Sequence, residues 1–218
     1  MDYLENKTRL IPKEPYFITV KTSENFPSEL KVASLMFIQE MYTYSWKQGG
    51  TSNKTLVSNV RTSQSKDFDQ ILKISTGSFK TSRFYQDPRL AFSDAEKIKR
   101  LWISANLVER KNSHTLVYSH EDFGKEEVLG YVSLLDFSNF VTIDLICVAT
   151  EYRGKGIGGA LLDSAILYAE KKGVGLQVGT QSTNSSNRLY LKKGFEIISK
   201  TYVGHDIIFE PWGTPNAR

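Results

Sequence analysis

The sequence contains little cysteine or histidine and no long apolar segment. Its single cysteine, Cys147, cannot form a disulfide within the chain, which is typical of proteins from a reducing compartment. The three histidines, His114, His120 and His205, lack the spacing of metal ligands, so we expect no metal. No apolar run approaches the ~20 residues that a membrane-spanning helix needs, and the first ten residues do not resemble a signal peptide. We therefore expect a cytoplasmic protein that does not bind membranes.

Charge and aromatic content narrow the possible classes of protein further. The 28 lysines and arginines exceed the 24 acidic residues, but the basic residues are scattered along the chain. We expect no nucleic-acid partner, because such binding needs a concentrated basic patch or stripe. A small anionic ligand accounts for the same excess. The apolar content of 40%, with 11 Tyr and 12 Phe, predicts a packed core and argues against disorder.

One stretch combines a strand, a glycine-rich turn and a helix. The apolar, β-branched residues 143–148 predict a buried strand. Apolar residues at helical spacing begin at Ala160, and Gly173 ends the helix. Between strand and helix, four glycines fall within six residues: Gly154, Gly156, Gly158 and Gly159.

This order of elements suits a phosphate. A helix start presents unpaired N–H groups and a partial positive charge, and glycine lets an anion approach the backbone closely. Arg153 and Lys155 add positive charge. Leu161 excludes the GxGxxG spacing, and no GxxxxGK[ST] sequence occurs. The stretch therefore predicts a phosphate-binding turn of another kind.

Residues 153–158, RGKGIG, resemble the acyl-CoA-binding loop of the GCN5-related N-acetyltransferases, the GNAT superfamily, whose pattern is [RQ]-x-x-G-x-[GA]. Residues 184–195, NSSNRLYLKKGF, resemble a second segment of that family, which has Asn, then Leu-Tyr, then Gly-Phe. The resemblance covers the C-terminal half of the chain. It implies an α/β (α+β) fold with a mixed central sheet flanked by helices. It also implies acetyl-CoA as cosubstrate and no metal.

The resemblance assigns cosubstrate contacts to particular residues. The backbone at Val148 would pair with the pantetheine arm of acetyl-CoA. Asn184 matches the family's CoA-contacting asparagine, but it precedes Tyr190 by six residues where the pattern has seven, so Asn187 is the alternative. Either asparagine could instead cap a helix. The residues assigned to the pyrophosphate are Arg153, Gly154, Lys155, Gly156, Ile157 and Gly158.

The resemblance makes Tyr190 the general acid. A phenol with a pKa of ~10 can protonate the thiolate of CoA, whose thiol has a pKa of ~8.5, at small cost. A tyrosine that only packs on its helix is the alternative.

The sequence does not identify the general base. Asp144, predicted on the face of Ile146, is one candidate and His205 another, while a structural Asp144 with a water relay is equally consistent. Cys147 is predicted to be a buried hydrophobe and not a nucleophile.

The remaining chain predicts both kinds of element. Ser93 and Glu96 have the spacing of a capping box at a helix start. Strands alternating with helices predict a mixed sheet. The predicted strands are 16–20, 55–60, 115–119, 128–137, 174–180 and a pair at 195–203 and 205–209; the predicted helices are 27–42, 68–74, 93–110 and a short one with Tyr190.

Residues 1–80 carry none of these motifs. We predict that they form an N-terminal subdomain that walls the substrate site, and that residues 81–218 form the acetyltransferase domain. The segments SRFYQDP (82–88), WISAN (102–106) and GTQ (179–181) resemble acetyltransferases of nucleotide-linked amino sugars, the TDP-fucosamine type. Arg83 and Tyr85 are the predicted contacts for an anionic substrate.

The sequence thus predicts an acetyl-CoA-dependent N-acyltransferase. Its acceptor would be a primary amine, which the closer resemblance places on a nucleotide-linked amino sugar. A protein or peptide amine is the alternative acceptor, and a non-catalytic acyl-CoA-binding regulatory domain is the alternative function. The intact Tyr190 favours the enzyme. We expect a small-molecule amine as partner, and either a monomer or a homodimer.

Overall fold

The computed structural model describes residues 16–23, 35–47, 59–108 and 112–208 of the 218-residue chain. Eight strands and five α-helices lie in these ranges. The strands are β1 (Tyr16–Thr22), β2 (Met36–Trp46), β3 (Val60–Thr62), β4 (Ser113–Asp122), β5 (Lys125–Asp136), β6 (Phe140–Val148), β7 (Gly175–Gln181) and β8 (Glu196–Ile208). The helices are α1 (Phe68–Ser75), α2 (Arg83–Gln86), α3 (Phe92–Val108), α4 (Ile157–Lys171) and α5 (Asn187–Lys192).

All eight strands belong to one sheet, in the order β1-β8-β2-β7-β6-β5-β4-β3. The neighbouring strands are antiparallel except β6 and β7, which are parallel. Helix α4 connects these two strands, as a parallel pair requires. The predicted strand, glycine turn and helix therefore form a βαβ unit, and the predicted mixed sheet flanked by helices is confirmed.

Helices cover both faces of the sheet, so the molecule has two apolar cores. Leu161 and Ile166 of α4 are buried in the first core. The second core lies under α1 and α3, where Ile71 and Ile103 pack with Cys147. Consecutive residues of one strand belong to different cores, as expected for side chains that alternate across a sheet. The prediction that Cys147 is a buried hydrophobe is confirmed.

The core strand β6 has a bulge at Asp144. Ile143 pairs with Leu134 of β5 and Leu145 pairs with Ser133, so Asp144 has no partner in the β5 ladder. Ile143 consequently packs in the first core and Leu145 in the second. Side chains two residues apart normally share a face, and the extra residue reverses this relationship.

Two predicted elements are wrong. Residues 36–42 belong to strand β2 and not to a helix, while residues 27–34 lie outside the described ranges. The signal for a strand was present, because Tyr42, Tyr44 and Trp46 alternate and all pack on the first core. The predicted strand pair after Phe195 is the single strand β8, because Gly204 continues the ladder on both sides instead of turning.

Helix α3 begins at Phe92, and Ser93 and Glu96 do not form the predicted capping box at its start. The side chain of Glu96 accepts hydrogen bonds from the Tyr85 hydroxyl (2.5 Å) and the Gly77 N–H (3.3 Å). Of the predicted strand 55–60, residues 55–58 lie outside the described ranges, and β3 begins at Val60. The other predicted elements are confirmed with shifted ends.

The first 80 residues contribute β1, β2 and β3 to the common sheet. Their division from residues 81–218 stays a prediction. None of the helices in the described ranges combines the length and the apolar character that crossing a membrane requires.

Candidate active site

The parallel strands β6 and β7 part halfway along their length. They pair only from Phe140 with Gly175 to Ile143 with Val178. Beyond these residues β6 continues along β5 as far as Gly130 and Val148, while β7 continues along β2 to Gln181. The edges that no longer pair line a cavity of about 470 Å³. Backbone groups of the core strand therefore face a cavity where a neighbouring strand would otherwise lie.

The glycine turn lies at the end of β6 that borders this cavity. Gly154 (φ +76°) and Gly156 (φ +86°) have left-handed backbone conformations that favour glycine. Gly156 is the N-cap of α4, and it has no side chain that could cap the helix. A Cβ added at either glycine would meet no atom within 4 Å, so the turn is open on its outer side. Gly156 therefore offers no side-chain acceptor to the first N–H groups of α4, and the phosphate site at this turn stays a prediction.

The remaining residues of the predicted loop surround the turn. The Arg153 guanidinium is exposed and donates from Nε to the Val148 carbonyl (3.1 Å) and from Nη2 to Ser78 Oγ (3.3 Å). Arg153 thus occupies a carbonyl that the resemblance assigns to the pantetheine arm. Lys155 lies over the ring of Tyr152 (4.9 Å). Ile157 is buried in the first core, while Gly158 lines the cavity.

Tyr190 lines the same cavity from α5. Its side chain is 2% exposed and packs between the rings of Tyr44 (5.6 Å) and Phe195 (5.7 Å). Burial raises the pKa of Tyr190 to about 12, with a smaller opposing effect from Ser186. The phenol is therefore protonated at neutral pH and can act as a hydrogen-bond donor.

The structure distinguishes the two asparagines. Asn184 lines the cavity, with its Oδ1 accepting from the Ser186 N–H (3.0 Å) and its Nδ2 donating to Gln181 Oε1 (3.1 Å). Asn187 is not among the lining residues. Its Nδ2 donates to the carbonyls of Gln181 (3.0 Å) and Ser182 (2.8 Å), which ties the end of β7 to α5.

Asp144 faces α3 from the bulge in β6. Its Oδ2 accepts hydrogen bonds from Trp102 Nε1 (2.7 Å) and from Asn106 Nδ2. The prediction that Asp144 shares the face of Ile146 is wrong, because Ile146 packs against the first core. The bulge is the physical reason for this difference. Asp144 nevertheless lines the cavity, where its other oxygen has no hydrogen-bond partner among the described residues.

Two cations lie close to the Trp102 ring on the wall of the cavity. The Arg83 guanidinium lies over the rings of Phe84 (4.4 Å) and Trp102 (5.5 Å), and burial lowers its pKa. The Lys99 ammonium lies over the rings of Trp102 (4.4 Å) and Phe79 (5.0 Å). Burial, with a smaller contribution from Arg83, lowers the pKa of Lys99 to about 8.

Lys99 is not predicted as a site residue, because Ile98 and Leu101 beside it have the spacing of an apolar helix face. Leu101 is 62% exposed, whereas Lys99 is 7% exposed. A signal existed in the spacing, since Ala95, Lys99, Trp102 and Asn106 recur every three or four residues and so share a stripe of the helix. That stripe carries polar groups toward the cavity.

Two predicted candidates lie away from the cavity lining. The Tyr85 hydroxyl donates to Glu96, and its ring packs on Phe92 (5.4 Å). His205 is fully buried, with its Nδ1 3.0 Å from Asp87 Oδ2 and its ring stacked on Phe84 (5.7 Å). Among the described residues, no group of three or more His, Cys, Asp or Glu side chains is arranged to hold a metal ion.

Comparison with known proteins agrees with this geometry. A family described as an acetyltransferase (GNAT) domain matches residues 111–197. The spore coat polysaccharide biosynthesis protein SpsD of Bacillus subtilis (strain 168) is 32% identical over 141 residues, which are 64% of this chain and 47% of SpsD. The chain therefore spans about half the length of this curated relative.

Solved structures share the fold. The GCN5-related N-acetyltransferase of Sphaerobacter thermophilus superposes with a TM-score of 0.59 at 15% identity, over 91% of this chain and 62% of that one. The PaiA N-acetyltransferase of Thermoplasma acidophilum, solved in complex with coenzyme A, superposes with a TM-score of 0.51 at 19% identity, over 67% of this chain and 96% of that one. The family match and the shared fold agree, and residues 111–197 are an acetyltransferase domain of the GNAT family.

Proposed function

We propose that the protein transfers an acetyl group from acetyl-CoA to a primary amine by direct attack of the amine on the thioester. The observation that carries this proposal is the separation of β6 from β7 next to an uncapped, glycine-rich helix start, with Tyr190 at the same cavity. This geometry offers a strand edge for an amide-containing chain and an anion site for its phosphates. The coenzyme A bound in the Thermoplasma structural relative supports the same choice of cosubstrate.

The chain's own residues suit the binding of the cosubstrate. The open turn around Gly156 fits a pyrophosphate, and the N–H groups at the start of α4 would donate to it. Arg153 and Lys155 would supply positive charge at the mouth of the cavity. The Val148 carbonyl would be released by Arg153 when that side chain turns toward phosphate. Asn184 would contact the pantetheine arm, and Asn187 would hold α5 in place.

Tyr190 would assist departure of the thiolate. A phenol with a pKa of about 12 and a thiol with a pKa of ~8.5 differ by about 3.5 pKa units, so full proton transfer is uphill by roughly 5 kcal/mol. Donation of a hydrogen bond to the developing thiolate carries no such cost. The phenol would therefore donate a hydrogen bond to the sulfur while the carbon–sulfur bond breaks, and CoA would leave as the stabilised thiolate.

Asp144 is our candidate for the group that accepts the amine proton. Trp102 and Asn106 fix one carboxylate oxygen, and the second has no hydrogen-bond partner among the described residues, on a side chain that lines the cavity. The nitrogen would bond to the acyl carbon while its proton passes to this oxygen, either directly or through water. A carboxylate held in one orientation in this way is suited to a positioned base.

We propose the amino group of a nucleotide-linked amino sugar as the acceptor. The name of SpsD, a spore coat polysaccharide biosynthesis protein, supports carbohydrate chemistry. The segments 82–88 and 102–106, which carry the amino-sugar resemblance, contribute Arg83 and Trp102 to the cavity wall. Residues 1–80 would complete this wall as an N-terminal subdomain, and Met41 of β2 already lines the cavity.

The test is acetyl transfer by the purified chain. Acetyl-CoA is incubated with TDP-linked 4-amino-4,6-dideoxyhexoses or with a panel of peptides, and both CoA release and acetylated product are measured by mass spectrometry. We expect the acetylated sugar with an equivalent amount of CoA. Turnover on peptides alone would replace the sugar with a peptide amine. Acetyl-CoA binding without turnover on any amine would favour a non-catalytic binding domain.

A further inference from the structure

The cavity contains more buried positive charge than the described residues balance. Lys99 is 7% exposed, and the buried Nε of Arg83 has no hydrogen-bond partner among the residues that the structure describes. Neither cation forms an ion pair within the described ranges; both instead lie over aromatic rings. Asp144 is the acid that acts on both, and its Oδ2 is already shared between Trp102 and Asn106. Two cations thus face one carboxylate.

An arrangement of this kind is unfavourable unless something compensates it. A buried charge without a partner loses its hydration and gains little in return. Contacts with aromatic faces offset part of that loss, but they do not use the N–H groups of the cation. Arg83 and Lys99 therefore retain donors that are directed at no acceptor in the described part of the chain, beside a cavity that a substrate can enter.

We propose that Arg83 and Lys99 together bind an anionic group of the acceptor, a phosphate or a carboxylate, beside the Trp102 indole that both cations contact. This inference rests on the proposed function, because it assigns part of the same cavity to the acceptor. The neighbouring Asp144 divides the cavity wall by charge. The acceptor amine lies toward the carboxylate, and the anionic group lies against the two cations.

Tyr85 has no part in this site, because its hydroxyl is bonded to Glu96. The sequence-based pair of Arg83 with Tyr85 is replaced by the pair of Arg83 with Lys99. The geometry explains the choice, since residues 83 and 99 both approach the ring of Trp102, within 5.5 and 4.4 Å. Arginine supplies a planar set of donors and lysine a compact charge, which together suit an oxyanion.

The experiment measures anion binding to the full chain saturated with CoA, so that the site for the cosubstrate pyrophosphate is already filled. TDP, inorganic phosphate, succinate and the uncharged thymidine are titrated by calorimetry. We expect at least one anion to bind at least ten times more tightly than thymidine. TDP or phosphate as the preferred ligand identifies a phosphate, and succinate identifies a carboxylate.

Variants locate the site. Lys99→Met keeps the length and apolar stem of the side chain, Arg83→Gln removes the second charge, and Lys97→Met is the control for a lost charge on an exposed position of α3. We expect either of the first two variants to lower the affinity for the anion at least tenfold and the control variant to leave that affinity unchanged. Lys99→Arg keeps the charge and should restore most of the affinity.

The proposal is overturned if no anion binds more tightly than thymidine. It is also overturned if Lys97→Met lowers the affinity for the anion as much as Lys99→Met does. Failure of the proposed function gives a different result, because CoA itself then does not bind in the first titration. In that case the anions are titrated into the free chain, where the same variants decide whether Arg83 and Lys99 form an anion site.

Discussion

The Trp102 indole N–H donates a hydrogen bond of 2.7 Å to the Asp144 carboxylate, which joins helix α3 to the bulge of the core strand. If Asp144 accepts the amine proton, Asp144→Asn should lower kcat by ~100- to 10,000-fold, because general base catalysis contributes about that much. The asparagine retains an acceptor for Trp102, so the fold and acetyl-CoA affinity should persist. Steady-state kinetics with calorimetry of acetyl-CoA binding checks both expectations.

Thr142→Val is the matched control for Asp144→Asn. Thr142 lies two residues earlier on β6, and its hydroxyl donates to the Gln177 carbonyl (3.3 Å) outside the cavity. We expect kcat close to that of the original chain for this variant. A near-normal kcat for Asp144→Asn would assign the proton transfer to water or to another group and leave Asp144 with a structural role.

Substitution of Gly156 by aspartate should abolish acetyl-CoA binding. The backbone at Gly156 has φ +86°, and a carboxylate there would repel the pyrophosphate from the start of α4. Calorimetry should show a loss of at least 100-fold in affinity. Gly156→Asn is the matched control, since asparagine tolerates a left-handed backbone and carries no charge. If the aspartate and asparagine variants, both folded by circular dichroism, bind acetyl-CoA with equal affinity, the pyrophosphate does not bind at this turn.

Removal of the Tyr190 hydroxyl should slow the chemical step. Tyr190→Phe keeps the ring between Tyr44 and Phe195, and we expect kcat to fall by ~100- to 10,000-fold with acetyl-CoA affinity retained. Tyr44→Phe removes a hydroxyl from a ring in contact with Tyr190 and should change kcat far less. Rapid-quench measurement of a single turnover separates chemistry from product release. An unchanged single-turnover rate for Tyr190→Phe would show that the reaction does not use this proton.

Much of the site could be predicted because it depends on local sequence. Gly154 and Gly156 have left-handed backbone, and the helix follows directly, so the turn and the start of α4 could be predicted from residues 153–158. Tyr190 was found through the Gly-Phe pair that follows it. Lys99 and the orientation of Asp144 depend instead on which stripe of α3 meets the sheet and on a bulge created by pairing with β5. These are tertiary contacts, and neither composition nor periodicity specifies them.

Lys99 should lower the stability of the folded chain. Its pKa falls to about 8 in the folded state, mainly through burial, against ~10.4 for an unfolded lysine. The folded state therefore binds this proton more weakly, and the resulting penalty is complete below pH ~8 and disappears as the pH rises toward ~10.4. Lys99→Met should raise the free energy of unfolding at pH 7 by about 1–3 kcal/mol.

Urea denaturation at pH 7 and at pH 9.5 measures this effect. The gain from Lys99→Met should be smaller at the higher pH, while Lys97→Met should stay within about 0.5 kcal/mol of the original chain at both. A loss of stability for Lys99→Met at pH 7 would mean that the contacts of the ammonium with Phe79 and Trp102 outweigh the burial of its charge.

The unpaired position at Asp144 adds a residue to β6 without disturbing the packing of its neighbours. Deleting Asp144 would place Ile143 next to Leu145 and restore uninterrupted pairing with β5. These two residues already lie on opposite faces, as consecutive residues of a regular strand do, so each flanking side chain would keep its face. Val141 and Ile143 would stay in the first core, and Leu145 and Cys147 in the second. The bulge therefore inserts one carboxylate beneath α3 at no cost to either apolar core, and a chain that lacked this single codon should fold without it.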